Sequence, residues 1–373
     1  MPLPLFSLRL PVHPHQLEVQ EFDSYELIVD LREDERYADD HLPGAVSVPW
    51  SGPVVPTGAE NVESAPSSAP PIPTVDAVSV ALPAALESHL APLALGAPVL
   101  VYCDRGGVDS ARVVAALKHR DHKADLLPGG WPSYRRWVTA SIEVLARTMS
   151  FCWVRCAPAA GTPAVLSALE ANGQQVLSLG AILSQKSFPG ISLPGEATPS
   201  QAAFETRLVD TLRRLDPGRP VWVCEPLWLN DDVGLPVPLH DALRRSQALR
   251  IEASMADRVA ALRSHLEVQR TGTEEPVESL IQALQWAIPA DHGVRLDASK
   301  VLAEQGRHEE ALYSLLADGI DPLYRALAAP RVPARETSLT LASLSEEAAW
   351  SGLLTLPEPW QQALRPDADQ ISP

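Results

Sequence analysis

The sequence has few cysteines, no surplus of basic charge and no long apolar run. Four cysteines in 373 residues are too few for a disulfide framework. Cys152 and Cys156 stand four apart with no second pair or His cluster nearby, so no metal site is expected. No apolar stretch reaches the roughly 18 residues that a membrane-spanning helix needs. The opening Met1-Pro2-Leu3-Pro4-Leu5-Phe6 lacks the basic segment of a secretory leader, and its prolines interrupt a helix, so a cytoplasmic location is expected. Thirty Lys and Arg against 47 Asp and Glu give a formal charge of −17. Such a chain repels phosphate backbones at long range, and any nucleic-acid contact must come from a local basic patch.

What is present suffices for two cores. Hydrophobic residues make up 46% of the 373, a length that ordinarily divides into domains. The pattern predicts an α/β protein. Leu27-Ile28-Val29 and Val99-Leu100-Val101-Tyr102 are short apolar runs suited to buried parallel strands. Helices are expected at about 33–39 and 84–95, and from just past Ser110 to His119. Residues 51–75, rich in Pro, Ser, Gly and Ala, read as a flexible insertion. A second α/β pattern begins at Phe151 and continues through Val176–Leu179 and Val221–Val223. The expected division is 1–145 for a first domain, 146–238 for a second α/β domain, 239–328 for a helical C-terminal region and 329–373 for a tail of low order.

The segment YCDRGGVDS carries the chemistry. A thiol after a buried strand and before a helix faces main-chain N–H groups and the positive helix end, which favour a thiolate. Gly106 and Gly107 allow the curved backbone such a loop needs. Arg105 adds positive charge and Ser110 closes the loop. Asp104 and Asp109 oppose the anion, unless Asp109 caps the helix with its charge turned to solvent.

LIVDLREDERYADDHLPGAVSVP and VLVYCDRGGVDSARVVAALK together resemble the rhodanese superfamily. Asp30 and Arg32 fall on its D-x-R element, His41, Pro43, Gly44 and Ala45 on the following turn, and Cys103 on the persulfide-forming cysteine. GGWPSYRRWV and later segments as far as GRHEEALYSLLADGIDPLYRAL extend the resemblance over about residues 25–327 to tRNA 2-selenouridine synthases. In that family a rhodanese domain precedes a P-loop domain. The resemblance implies Cys103 as carrier of a persulfide or perselenide, Asp30 and Arg32 in support, tRNA 2-thiouridine as acceptor, and selenophosphate and geranyl diphosphate as ligands. The phosphate loop departs from the pattern: in CAPAAGTP, Cys156 replaces the first Gly, Gly161 is kept, Thr162 stands in place of Lys and Pro163 in place of the hydroxyl residue. Without the Lys charge and one N–H, the loop is a degenerate P-loop. The acidic partner of that loop is also displaced, to Glu225. Three readings stay open: a sulfur or selenium transferase acting on tRNA, a stand-alone rhodanese-type sulfurtransferase, and an inactive scaffold that binds a protein partner. The clusters Arg135-Arg136, Arg213-Arg214-Arg219 and Arg244-Arg245-Arg250 could meet RNA, or lie on solvated helix faces paired with carboxylates.

Overall fold

The computed structural model describes residues 19–50, 82–94, 96–104, 108–184, 198–224, 233–269, 275–288, 294–328 and 335–365. The expected 51–75 insertion, Arg105, Gly106, Gly107 and Glu225 lie outside them. The chain divides into two units, Met1–Ser141 and Ile142–Pro373. Among the described residues no helix is long and apolar enough to cross a membrane.

In the first unit the apolar runs become the centre of a parallel sheet. β1 (Leu27–Asp30) and β3 (Pro98–Tyr102) pair with each other and are flanked by β2 (Ala45–Ser47) and β4 (Lys123–Leu126), in the order β2-β1-β3-β4. The register sets Val29 beside Val101 and Asp30 beside Tyr102. Both central strands can be uniformly apolar because helices cover a parallel sheet on its faces. These helices are α1 (Asp34–Asp39), α2 (Ala84–Leu90), α3 (Val108–His119) and α4 (Gly130–Thr148). Val29, Val99 and Val101 pack with Leu86 of α2 and Val113 and Leu117 of α3. An aromatic group joins Phe22 to Tyr134 and Trp137, with ring centroids 6.4 and 5.9 Å apart. The α3 helix starts at Val108, earlier than the apolar period suggests, so Asp109 and Ser110 belong to its first turn.

The second unit is built on a five-stranded parallel sheet in the order β6-β7-β5-β8-β9, with β9 (Glu336–Thr340) at one edge. Its elements are β5 (Phe151–Cys156), α5 (Thr162–Ala171), β6 (Gln175–Ser178), α6 (Leu179–Ile182), α7 (Gln201–Leu212), β7 (Val221–Cys224), α8 (Val237–Arg245) and β8 (Gln247–Glu252). The strand order reverses direction at β5, which makes this a doubly wound sheet with its crevice outside the strands' carboxyl ends. A helical group follows: α9 (Met255–Gln269), α10 (Pro276–Ala287), α11 (Asp297–Glu304), α12 (His308–Ser314), a π turn at Leu315–Ile320 and α13 (Asp321–Ala328). Leu262, Leu280, Leu284, Leu312 and Leu315 form its core.

Two expectations are corrected. Residues 239–328 are not purely helical, because Gln247–Glu252 forms β8 beside β5. Arg250 and Glu252 interrupt the apolar pattern there and hide the strand. Within the region beyond 329, the described residues 335–365 are not of low order: Glu336–Thr340 forms β9 on β8, and α14 (Glu346–Leu353) and α15 (Trp360–Leu364) follow. Its order comes from burial, since Leu339, Leu341, Ala349, Leu353 and Trp360 complete the core that also contains Cys152, Val154, Val165 and Trp222. Trp360 lies 5.7 Å from Trp222 between ring centroids, and its indole N–H donates to the Thr337 hydroxyl at 3.1 Å.

Candidate functional site

Cys103 follows β3 directly and precedes α3 across the loop. Its residue is 3% exposed, and its thiol shares the core with Val101, Val113 and Val114. Among the described residues, Ser110 reaches it, with its Oγ 3.5 Å from Sγ. The early start of α3 supplies that contact by turning Ser110 toward the strand end. The Cys103 carbonyl accepts from the Trp131 amide at 3.0 Å, which fixes the backbone on the other side.

Asp30 and Arg32 form a buried ion pair at the carboxyl ends of β1 and β3, next to the strand that leads into Cys103. Arg32 donates to both Asp30 oxygens, from Nε at 3.0 Å to one and from Nη2 at 2.6 Å to the other, and Nη2 also reaches the Asp40 carbonyl at 2.6 Å. Tyr102, which ends β3, donates its hydroxyl to Asp30 at 2.6 Å and accepts the Leu42 amide at 3.2 Å. Burial, with Asp30 beside it, holds the Tyr102 phenol well above its ordinary pKa, so it remains a donor. Burial also works against the Arg32 charge, but Asp30 outweighs it and the guanidinium pKa is raised. The Trp131 ring lies 3.7 Å from the guanidinium carbon, a cation–π contact out of water. The carboxyl end of β1, the turn at His41 and the carboxyl end of β3 are thus tied to one buried ion pair.

The two loop aspartates differ from expectation. Asp104 does not face the sulfur with a bare charge: Arg36 Nη1 is 3.2 Å and Arg32 Nε 3.7 Å from its carboxylate. Asp109 does not turn to solvent but is buried in the first turn of α3. Sequence reasoning missed Arg36, Tyr102 and Trp131. Trp131 lies within the GGWPSYRRWV segment, whereas no spacing rule links Arg36 to Asp104. Gly44 has φ +77, which accounts for a glycine in the turn after Pro43.

The degenerate phosphate loop keeps its curve and loses its cradle. Gly161 has φ +100 and Thr162 opens α5, with Pro163 in the first turn, where its missing N–H costs no helix bond. A Cβ added at Gly161 would lie 2.8 Å from Leu344 Cδ2 and 3.1 Å from Leu341 Cδ1. Leucine side chains thus pack directly against the Gly161 backbone, and the loop has neither the Lys charge nor the residue-163 N–H that a phosphate needs. Pro158, Ala159 and Ala160 are buried, and Arg258 donates to the Pro158 carbonyl at 2.8 Å. Selenophosphate and geranyl diphosphate do not fit this loop. Cys156 hydrogen-bonds with Cys224 and Thr162, which lowers its pKa against burial. Burial pushes the Cys152 thiol up to about 11. Among the described residues no group of three or more His, Cys, Asp or Glu is placed to hold a metal ion.

The arginine clusters are largely engaged. Arg135 pairs with Asp40 at 3.0 Å, Arg213 and Arg214 with Asp210 at 2.6 and 3.2 Å, and Arg250 with Glu252 at 2.8 Å. Trp137 is buried and offers no stacking face.

Residues 15–136 match the rhodanese-like domain family, so the N-terminal unit carries a rhodanese-like domain, with Cys103, Asp30 and Arg32 inside the matched span. No curated protein matches the chain.

Proposed function

We propose that this chain is a sulfurtransferase that carries sulfane sulfur as a persulfide on Cys103. The observation that carries the reading is the seat of that thiol: it closes the central strand of a rhodanese-like domain, Ser110 is in contact with the sulfur, and Arg36 and Arg32 compensate the adjoining Asp104 carboxylate. With thiosulfate, the Cys103 thiolate attacks the outer sulfur, an S–S bond forms on the enzyme and sulfite leaves with the electron pair of the broken bond. A nucleophile such as cyanide then takes the terminal sulfur as thiocyanate and returns the thiolate. The Arg32–Asp30–Tyr102 assembly keeps the strand ends rigid while the sulfur changes partners.

The resemblance to tRNA 2-selenouridine synthases supports a finer reading in which the acceptor is tRNA 2-thiouridine and selenium travels on the same thiol as a perselenide. The leucines seated against Gly161 favour a second reading for the second unit, that of a scaffold whose sheet persists without its phosphate loop. Mass spectrometry after incubation with thiosulfate tests the main claim. A mass increase of one sulfur on Cys103, absent in Cys103→Ser and removed by cyanide, is expected; an unmodified Cys103 overturns it. Filter binding of total tRNA at low salt, where electrostatic binding is strongest, tests the acceptor. Lack of retention removes tRNA and leaves the sulfurtransferase.

A further inference from the structure

The cationic charge missing from the phosphate loop is present a short distance away, on arginine side chains. A cleft of about 540 Å³ opens at the carboxyl ends of β5 and β8, with Ala157 and Ala160 of the degenerate loop forming part of its wall. That is where a doubly wound sheet presents its ligand crevice, and the volume is that of a small-molecule site. Four arginines line it: Arg155, Arg250, Arg258 and Arg325. Among the described residues, the opposing carboxylates are three, Glu252, Asp321 and Glu336. In a chain of charge −17, the lining of this crevice carries a surplus of positive charge.

The carboxylates orient the guanidiniums. Asp321 takes Arg258 in a fork at 2.8 and 2.6 Å. Glu336 accepts from Arg155, and its other oxygen is 3.7 Å from Arg250. Arg325 donates through Nε to the Asp321 carbonyl at 3.2 Å. Arg258 is 6% exposed, and its Nε finds no hydrogen-bond partner among the described residues, so a buried cation here holds unused donor capacity. Arg250 and Arg325 stand at the solvent side, and the Tyr324 hydroxyl, kept protonated by burial, is a further neutral donor on the wall.

We propose that this cleft binds a small molecule bearing a phosphate or carboxylate oxyanion, held by guanidinium forks in place of main-chain amides. Guanidinium matches both anions in bidentate geometry. The assignment concerns the second unit alone and stands whether or not Cys103 accepts sulfur.

Isothermal titration of the full chain with inorganic pyrophosphate, and separately with citrate, at low ionic strength tests it. Saturable binding at one site per chain is expected for at least one probe, weakened about tenfold by Arg250→Ala or Arg325→Ala, the scale of one lost charge-assisted contact. Arg307→Ala, which removes an exposed guanidinium paired with Glu310, should leave binding unchanged. Pyrophosphate alone, citrate alone, or both then assign a phosphate, a carboxylate or a general oxyanion site. No saturable heat with either probe, or equal affinity in the Arg250→Ala, Arg325→Ala and parent proteins, overturns the proposal. Both replaced side chains face solvent, and circular dichroism confirms that the variants are folded.

Discussion

Replacing Arg32 by alanine would strand two buried groups at once. Asp30 is fully buried and, among the described residues, would keep the Tyr102 hydroxyl and the residue-32 amide, at 2.6 and 2.9 Å, while the Asp40 carbonyl would lose the Arg32 donor. Breaking a buried pair on one side costs about 3–5 kcal/mol, so urea unfolding of the first unit should shift by that amount; a change under about 1 kcal/mol would show that the pair is not structural. Cys152 offers a test by pH. Its folded pKa is raised to about 11 from an ordinary 9.0, so the neutral thiol stabilises the fold fully below pH 9, and that contribution is lost as pH rises toward 11. A tenfold change in an acid's ionisation constant on folding corresponds to about 1.4 kcal/mol. Unfolding free energies at pH 8 and pH 10.5 should therefore converge in Cys152→Ala relative to the parent; an identical pH dependence in both proteins would refute the assignment.

Among elements, the C-terminal strand and helices matter more than their composition suggests. β9 reads Glu-Thr-Ser-Leu-Thr with only Leu339 buried, a sequence that sets no apolar period and marks an edge strand. β4, Lys-Ala-Asp-Leu, is an edge of the other sheet for the same reason. The central strands β1, β3, β5 and β7 were legible because every residue on a strand covered on both faces can be apolar. Of the candidate site, the sequence points to Cys103, Ser110, Asp30 and Arg32 as residues, but not to the ion pair that Asp30 and Arg32 form. It did not disclose that Arg36 would reach Asp104, since a contact between a helix and a loop 68 positions apart follows no period. Ending the chain after residue 333 removes one of the two partners of β8, the indole stacked on Trp222 and the leucines against Gly161. Loss of a buried Trp alone costs about 3–5 kcal/mol, so the second unit should lose cooperative unfolding by circular dichroism and calorimetry. A sharp transition of unchanged midpoint in the shortened protein would contradict the packing described.

At the scale of the molecule, the two units bury their polar groups differently. Among the described residues, the first buries the Asp30–Arg32 pair at the carboxyl ends of its central strands, whereas the second places the pairs Arg155–Glu336 and Arg258–Asp321 around the crevice beside its sheet. The strand order of the second sheet also bears on how the protein is made. Its middle strand, β5, is translated long before β9, the edge strand, and α14, which lies against α5. Until those late segments leave the ribosome, Val165, Leu169 and Trp222 lack their covering layer. Nascent chains of this protein thus pass through an interval with a sticky, half-roofed sheet, when holdase chaperones have most to grip.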